Sequence, residues 1–233
     1  MKRIIIILFI AFTANLVSSQ SLIPVKYGIS TGFSLSNFKI SSGEGIQPAN
    51  NSSQIGFSAG LIIQIPLSDK WFINPEVLYS QKGSSFNYSF THDYEVNQRD
   101  IYKTTNKITL SYLDINPIIS YMASNNFSLN IGPSVSILIG DEYVYTQDPA
   151  KDNVNTSNVL TDGLVKVASL DIGLSIGASY FLTEHFLINT KINTGFIEAA
   201  NATQPTDLVN NSNTEPEYTL KNNSINISIT YLF

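Results

Sequence analysis

Over residues 224–231 polar and apolar side chains alternate strictly, and Phe233 continues the apolar side. This alternation has a period of two and predicts a β-strand with one apolar and one polar face. We expect the apolar face to meet either a second sheet or lipid. The apolar side holds Ile225, Ile227, Ile229, Tyr231 and Phe233, and the polar side holds Ser224, Asn226, Ser228 and Thr230.

Seven earlier segments show the same alternation, with glycine, serine, asparagine and threonine prominent on their polar sides. They cover residues 27–38, 54–67, 71–82, 107–121, 127–140, 168–182 and 186–197. In the fourth segment Ile108 and Leu110 are out of phase with the residues that follow, which predicts a β-bulge near Ser111. The sequence thus predicts eight strands, and we expect the last to pair with the first.

The connections between these strands alternate in length. Residues 68–70, 122–126 and 183–185 form short turns, whereas 39–53, 87–106, 141–167 and 198–221 form long polar loops. Short turns on one rim and long loops on the other are typical of bacterial outer-membrane barrels. The predicted fold is therefore all-β: an eight-stranded antiparallel up-and-down transmembrane β-barrel with four long outer loops and three short periplasmic turns.

A soluble barrel with its apolar face inward would show the same period, but three features favour lipid outside. Charged residues make up only 13% of the chain, about half of the ~25% usual for soluble domains. The four long loops contain 13 of the 18 acidic residues, and the apolar faces contain none. Aromatic residues gather beside the short turns and the C-terminus, as an interfacial girdle requires: Trp71, Phe72, Tyr121, Phe127, Tyr180, Phe181, Phe186, Tyr231 and Phe233.

Residues 1–19 predict a cleaved secretory signal peptide, which leaves 20–233 as the barrel domain. A basic start at Lys2 and Arg3 is followed by an apolar stretch and by small residues at Ser18 and Ser19. The alternative is an N-terminal membrane helix, for which this stretch is too short. The chain has no cysteine, which excludes disulfides, thiol catalysis and cysteine metal sites. A pI near 4.9 argues against a nucleic-acid partner.

If the apolar faces point outward, four charged side chains point into the lumen: Glu76, Asp114, Asp171 and Lys191, with Lys82 nearer the outer end. An eight-stranded barrel is only wide enough for side chains to fill, and an isolated buried ion costs several kcal/mol. We therefore predict a polar network that closes the lumen, with Lys191 paired to Asp171 or Glu76. The alternative is that these charges line a catalytic or transport path.

Five segments carry short motifs in addition to the alternation. They read INPEVLYSQKG at 73–83, LSYLDINP at 110–117, NIGP at 130–133, DIG at 171–173 and YLF at 231–233. The first resembles the "PEL-Y-KG" strand of the outer-membrane β-barrel family of Bacteroidetes that includes PorT-like proteins. The second resembles its "Y-L-x-I-P" strand, here with an asparagine inserted before the proline. The resemblance implies the barrel fold, and some members resemble components of secretion and gliding machinery, but it supplies no catalytic residue.

No catalytic, metal-binding or cofactor-binding residue is predicted. The chain has two histidines, of which His185 lies in a short turn, where we expect it to be solvated. His92 lies beside Asp93 and near Ser89 in a polar loop, a weak signal for lipid-modifying chemistry. The loop acids Asp141, Glu142, Asp148 and Asp152 lack the spacing of a Ca²⁺ site.

The predicted function is that of a non-enzymatic outer-membrane barrel. We expect it to present its long loops for contact or to serve in a larger secretion, gliding or adhesion assembly. A narrow pore for ions or small solutes is the alternative, and a lipid-modifying enzyme is a third candidate. The predicted partners are outer-membrane lipid, other envelope proteins, and the barrel-assembly machinery, which would bind the terminal Phe233.

Overall fold

The computed structural model describes residues 24–42, 50–95, 98–148, 165–203 and 217–233. The predicted signal peptide lies outside these ranges. The described part of the chain contains no helix that is both long and apolar enough to cross a membrane. Its strands are β1 (Lys26–Ser42), β2 (Asn50–Pro66), β3 (Trp71–Glu95), β4 (Gln98–Ser124), β5 (Phe127–Asp148), β6 (Val165–Val167), β7 (Leu170–Phe181), β8 (Phe186–Gly195), β9 (Ala200–Thr203) and β10 (Glu217–Leu232).

Eight of these strands close into an antiparallel barrel. They pair in the order β1-β2-β3-β4-β5-β7-β8-β10, and β10 pairs back onto β1 from Gly28↔Leu232 to Ser42↔Tyr218. Closure leaves no strand edge in the hydrocarbon layer, where an unpaired peptide group costs several kcal/mol. The predicted eight-stranded barrel, including the pairing of its last strand with its first, is confirmed.

The apolar face of the barrel wall points outward and the polar face points into the lumen. On β1 the side chain of Phe33 is 66% exposed, whereas that of Ser34 is 1% exposed. On β10 the corresponding values are 57% for Ile227 and 7% for Ser228. This arrangement is the one expected for a wall that contacts lipid.

Three neighbouring strands extend well beyond the length needed to cross a membrane. β3, β4 and β5 have 25, 27 and 22 residues, whereas β7 and β8 have 12 and 10. A spanning strand needs about 9–11 residues. The loop predicted at 87–106 is therefore wrong for most of its length, because β3 and β4 continue as a hairpin to Glu95 and Gln98. The loop predicted at 141–167 begins as strand up to Asp148.

Two short strands lie in the other predicted loop regions. β9 pairs with residues 217–220 of β10, and β6 pairs with β9. β9 thus continues the position of β8 along β10, and β6 continues that of β7, so the two short strands extend the wall at its outer rim. Backbone pairing continues at this rim without an apolar alternation, which is why the sequence pattern did not indicate it.

The predicted β-bulge near Ser111 occurs at that position, but the extra residue is on the neighbouring strand. Ser111 pairs with Gly140 and Tyr112 pairs with Leu138, so that Ile139 of β5 has no partner across the ladder. β4 itself remains in register with β3 through this region. The expectation that β4 changes phase here is therefore wrong.

Because β4 keeps its phase, Ile108 and Leu110 point into the lumen, where they are 4% and 0% exposed. They belong to an apolar cluster near the outer end of the lumen, which we call the outer cluster. Its buried members are Phe38, Ile108, Leu110, Tyr112, Ala199, Ala200 and Leu220, and Leu138, Tyr143 and Val167 pack against them.

Candidate functional site

The candidate site is the lumen, whose middle is polar and whose two ends are apolar. The outer cluster fills one end. At the other end, beside the short turns, Ile62, Leu187 and Leu232 form a second buried cluster against Phe181. We call it the periplasmic cluster. The charged residues predicted from the sequence lie between these two clusters.

Lys191 of β8 forms an ion pair with Glu76 of β3, and both side chains are buried, at 8% and 7% exposure. β3 and β8 are four strands apart in both directions around the closed sheet. The pair therefore spans the diameter of the barrel. Of the two partners predicted for Lys191, the structure has Glu76 and not Asp171.

A second contact crosses the lumen at the outer cluster, to which Tyr112 belongs. The Nδ2 atom of Asn222 donates to Oδ2 of Asp171 at 2.8 Å and to the hydroxyl oxygen of Tyr112 at 3.2 Å. Asn222 lies on β10 and Tyr112 on β4, which are also four strands apart in both directions. Asp171 is thus bound by an amide and not by a lysine.

Asp171 remains only partly satisfied, because its Oδ1 atom is buried without a hydrogen-bond partner in the described residues. This oxygen lies against the backbone of Gly195. A Cβ atom at Gly195 would come within 2.9 Å of it. The missing side chain therefore makes room for the carboxylate.

Asp114 is paired with Lys82, a contact that the sequence analysis did not predict. The Lys82 Nζ atom lies 3.1 Å from Oδ1 of Asp114, 2.8 Å from the Ser136 hydroxyl and 4.9 Å from the centre of the Tyr112 ring. The Ser80 hydroxyl donates to the other Asp114 oxygen at 2.7 Å. Lys82 and Ser80 lie on the same inward face of β3. This shared face indicated that Lys82 enters the lumen, but it did not indicate which acid Lys82 contacts.

A chain of neutral hydrogen bonds follows the wall below these charges. The Asn130 amide donates to Ser179 at 2.7 Å, and Ser179 donates to Asn189 at 2.6 Å. The Asn189 amide then donates to Thr230 at 2.9 Å, and Thr230 donates to Ser30 at 2.9 Å. These five side chains connect β5, β7, β8, β10 and β1. Satisfied networks of this kind rigidify a polar interior.

The space left beside the Glu76–Lys191 pair is small. It is a cavity of about 20 Å³ that is also lined by Asn74, Asn130 and Asn189. This is room for one water molecule, since a water requires about 10–15 Å³ of such volume and two to four polar partners. The buried Oδ1 atom of Asn74 has no partner in the described residues and would be one such contact.

An aromatic belt surrounds the barrel at the short turns. The rings of Trp71 and Tyr121 have centroids 4.8 Å apart. On the other side of the rim, Tyr231 contacts Phe186 at 4.9 Å and Phe233 at 5.1 Å. These rings match the predicted girdle at a membrane interface, but the prediction was wrong for Phe181, which packs against the periplasmic cluster.

His185 is exposed, as the sequence predicted, whereas the backbone of His92 belongs to a strand and not to the predicted loop. The Nδ1 atom of His185 lies 2.7 Å from the backbone oxygen of Leu232, so His185 is tied to the last strand. The side chain of His92 lies outside the described residues. Among the described side chains, no group of three or more His, Cys, Asp or Glu residues is arranged to hold a metal ion.

Several solved outer-membrane proteins resemble this barrel. OprG from Pseudomonas aeruginosa has 16% identity and a TM-score of 0.42 over 89% of this chain and 95% of its own. Neisserial surface protein A has 12% identity and a TM-score of 0.41 over 91% and 100%. The outer membrane protease OmpT from Escherichia coli has 11% identity and a TM-score of 0.39 over 90% and 95%. No curated protein sequence matches the chain.

A family model supplies the assignment. The model of the outer membrane protein beta-barrel domain matches residues 14–201, which is most of the chain. The match agrees with the closed barrel and its outward apolar face, and both support a location in the outer membrane. The chain belongs to the outer membrane protein beta-barrel domain family.

Proposed function

We propose that this protein is a closed, non-conducting and non-enzymatic barrel that holds an outer sheet of β3, β4 and β5 at the cell surface for contact with other molecules. The observation that carries the proposal is the pair of contacts that cross the lumen, Glu76–Lys191 and Asn222–Tyr112, together with the apolar clusters at its two ends.

Breaking the buried ion pair is costly enough to keep the lumen closed. An opening that leaves one charge of a buried pair uncompensated costs about 3–5 kcal/mol. A cost of about 3 kcal/mol keeps the open state below roughly one molecule in a hundred. Opening a path for ions would also require the outer and periplasmic clusters to rearrange. A closed lumen leaves the outer surface as the place where the protein acts.

The outer sheet provides that surface. β3 and β4 exceed the length needed to span the membrane by more than ten residues each, and their pairing continues to Glu95 and Gln98. A paired extension costs conformational entropy that a free loop would not, so its order favours a role in recognition. We propose that its partner is another envelope protein, and that the Bacteroidetes PorT-like resemblance reflects membership of a secretion, gliding or adhesion assembly.

Conductance measurements test the closed barrel. We expect the refolded protein to give no sustained single-channel steps in planar bilayers. Lys191→Ala removes one end of the crossing ion pair, and Lys107→Ala, on an exposed outward-facing lysine, is the matched control. Steps from the unmodified protein that change with Lys191→Ala but not with Lys107→Ala would contradict the proposal.

A narrow pore is the second candidate, because ionisable residues at membrane depth commonly mark transport paths. Five charged side chains are buried in the membrane-spanning part of the barrel: Glu76, Lys82, Asp114, Asp171 and Lys191. The same recordings distinguish the two functions. A pore would conduct without modification, and Asp171→Asn would alter its preference between cations and anions.

Crosslinking tests the partner. A photo-crosslinking residue placed in the 87–106 hairpin should capture a defined envelope protein in intact cells, whereas the same residue at the lipid-facing Ile227 should not. Equal labelling at the two positions would contradict a recognition role for the outer sheet.

A further inference from the structure

Two lysines face each other on the outer surface of the barrel wall. Lys39 of β1 and Lys221 of β10 are direct partners in the antiparallel register. They share the parity of the outward-facing Leu35 and Ile225, so both point away from the lumen. Like charges directly opposite each other destabilise a sheet. Neither lysine forms an ion pair within the part of the chain that the structure describes.

The lysine pair completes a graded series of cross-strand pairs along this seam. Two apolar pairs are followed by an amide pair and then by the lysine pair. At about 3.4 Å per residue, the lysines lie about 14 Å along the strand from the last apolar pair. Such a series follows the change from acyl chains to headgroups. The pairs are Phe33↔Ile227, Leu35↔Ile225, Asn37↔Asn223 and Lys39↔Lys221.

We propose that Lys39 and Lys221 bind the phosphate of an outer-leaflet lipid headgroup. Directly opposed residues have Cβ atoms about 4.5–5.5 Å apart, so two ammonium groups can reach oxygens of one phosphate. Asn37 and Asn223 add amide donors, and Thr194, the partner of Asn223 on β8, adds a hydroxyl. The bound anion removes the repulsion between the lysines.

The position of the site favours a lipid over free phosphate. A lipid whose acyl chains lie on Leu35 and Ile225, which are 48% and 47% exposed, would present its headgroup at the lysines. Burial of those chains adds an affinity that inorganic phosphate lacks. Lipid binding at the two lysines does not depend on whether the lumen conducts, so conductance recordings and lipid-binding measurements can fail separately.

Native mass spectrometry of the full barrel in neutral detergent tests the proposal. The probes are lipid A, the same lipid A after enzymatic removal of its phosphates, and inorganic phosphate. We expect the barrel to prefer the phosphorylated lipid. Each lysine near an anionic surface strengthens binding about fivefold. The double variant Lys39→Gln and Lys221→Gln should therefore weaken binding of the phosphorylated lipid roughly 25-fold. The control, Lys70→Gln with Lys107→Gln, removes the same charge from other exposed positions and should bind normally.

A second measurement follows the stability of the barrel with and without lipid A. Lys221→Gln alone should raise the midpoint of urea unfolding in neutral detergent, because it relieves the repulsion between the two lysines. The same variant should lower the midpoint in bilayers that contain lipid A.

Equal binding of the dephosphorylated lipid in the mass-spectrometry experiment would overturn the proposal, as would an equal loss of binding in the control variant. Displacement of lipid A by inorganic phosphate at the same concentration would overturn the assignment of the site to a lipid headgroup.

Discussion

Glu76 and Lys191 form an ion pair between strands that lie opposite each other in the barrel, and 115 residues separate them in the sequence. Neighbouring strands are held by backbone hydrogen bonds, but opposite strands touch only through side chains. This pair and the Asn222–Tyr112 hydrogen bond therefore fix the cross-section of the barrel directly. The contacts that stabilise the folded barrel are therefore the same contacts that fill its lumen.

Removing one partner of the ion pair should be more damaging than removing both. Lys191→Met leaves Glu76 as a buried charge without its partner, and we expect a loss of about 3–5 kcal/mol in the free energy of unfolding. Glu76→Leu combined with Lys191→Met replaces the pair with apolar side chains and should be close to neutral. Urea unfolding of the barrel in lipid vesicles, followed by Trp71 fluorescence, measures both effects.

The double variant provides the control for this prediction. If it is as unstable as the single variant, the loss comes from packing volume and not from the stranded charge. In that case the ion pair does not set the stability of the cross-section, and its role in closing the lumen would have to be carried by the apolar clusters.

Gly56 and Gly140 should respond very differently to alanine. A Cβ atom at Gly56 would lie 2.1 Å from the backbone oxygen of Gln81, whereas one at Gly140 would approach no closer than 3.9 Å, to Ser111. The first contact involves backbone and cannot be relieved by a side-chain rotation. Overpacking of this kind costs about 1–3 kcal/mol and occasionally more.

We therefore expect Gly56→Ala to reduce the yield of folded barrel, seen as a loss of the heat-modifiable band in electrophoresis. Gly140→Ala should fold normally and acts as the control for the substitution itself. Normal folding of Gly56→Ala would mean that β2 can shift away from β3. The irregular register between Ser53 and Ser58 on β2 is where such a shift would take place.

The sequence predicted the barrel well because lipid imposes its pattern on every spanning strand. Each strand must alternate, so the outward positions of Phe33 and Ile227 could be read directly. The outer sheet was missed because neither face of a strand outside the membrane has to be apolar. Its pairing depends on backbone hydrogen bonds, which leave little trace in hydropathy.

The lumen was predicted by position, but only one pairing was anticipated, that of Lys191 with Glu76 as one of two alternatives. Strand parity directs Glu76, Asp114, Asp171 and Lys191 inward, and all four are buried. Which of them meet depends on the stagger of the strands around the closed sheet, which alternation does not encode. Asn222 illustrates this limit, since it lay in sequence beside a predicted loop and yet bridges Asp171 and Tyr112.

Trp71 reports on the depth of the aromatic belt without any mutation. It is the single tryptophan of the chain, is 47% exposed and packs on Tyr121. We expect its fluorescence to be quenched most strongly by lipids brominated near the headgroup and least by those brominated near the end of the acyl chain. Strongest quenching at the chain end would place this rim in the bilayer centre and contradict the proposed orientation.

Deletion of Phe233 should impair assembly in cells much more than it affects the folded barrel. The side chain is 65% exposed and contacts only the edge of the Tyr231 ring among the aromatic residues described, so it contributes little to the interior. Its backbone N–H donates to the Tyr27 carbonyl at 2.7 Å, and this is one hydrogen bond of many between β1 and β10.

We expect the chain without Phe233, refolded in vitro, to have a free energy of unfolding within about 1 kcal/mol of that of the unmodified protein. In cells, the fraction of heat-modifiable protein in outer-membrane preparations should fall several-fold, because we propose that the assembly machinery binds Phe233. Phe33→Ala removes an equally exposed aromatic from the middle of the wall and should assemble normally. Equal assembly of the deleted and complete chains would show that Phe233 is not read as a signal.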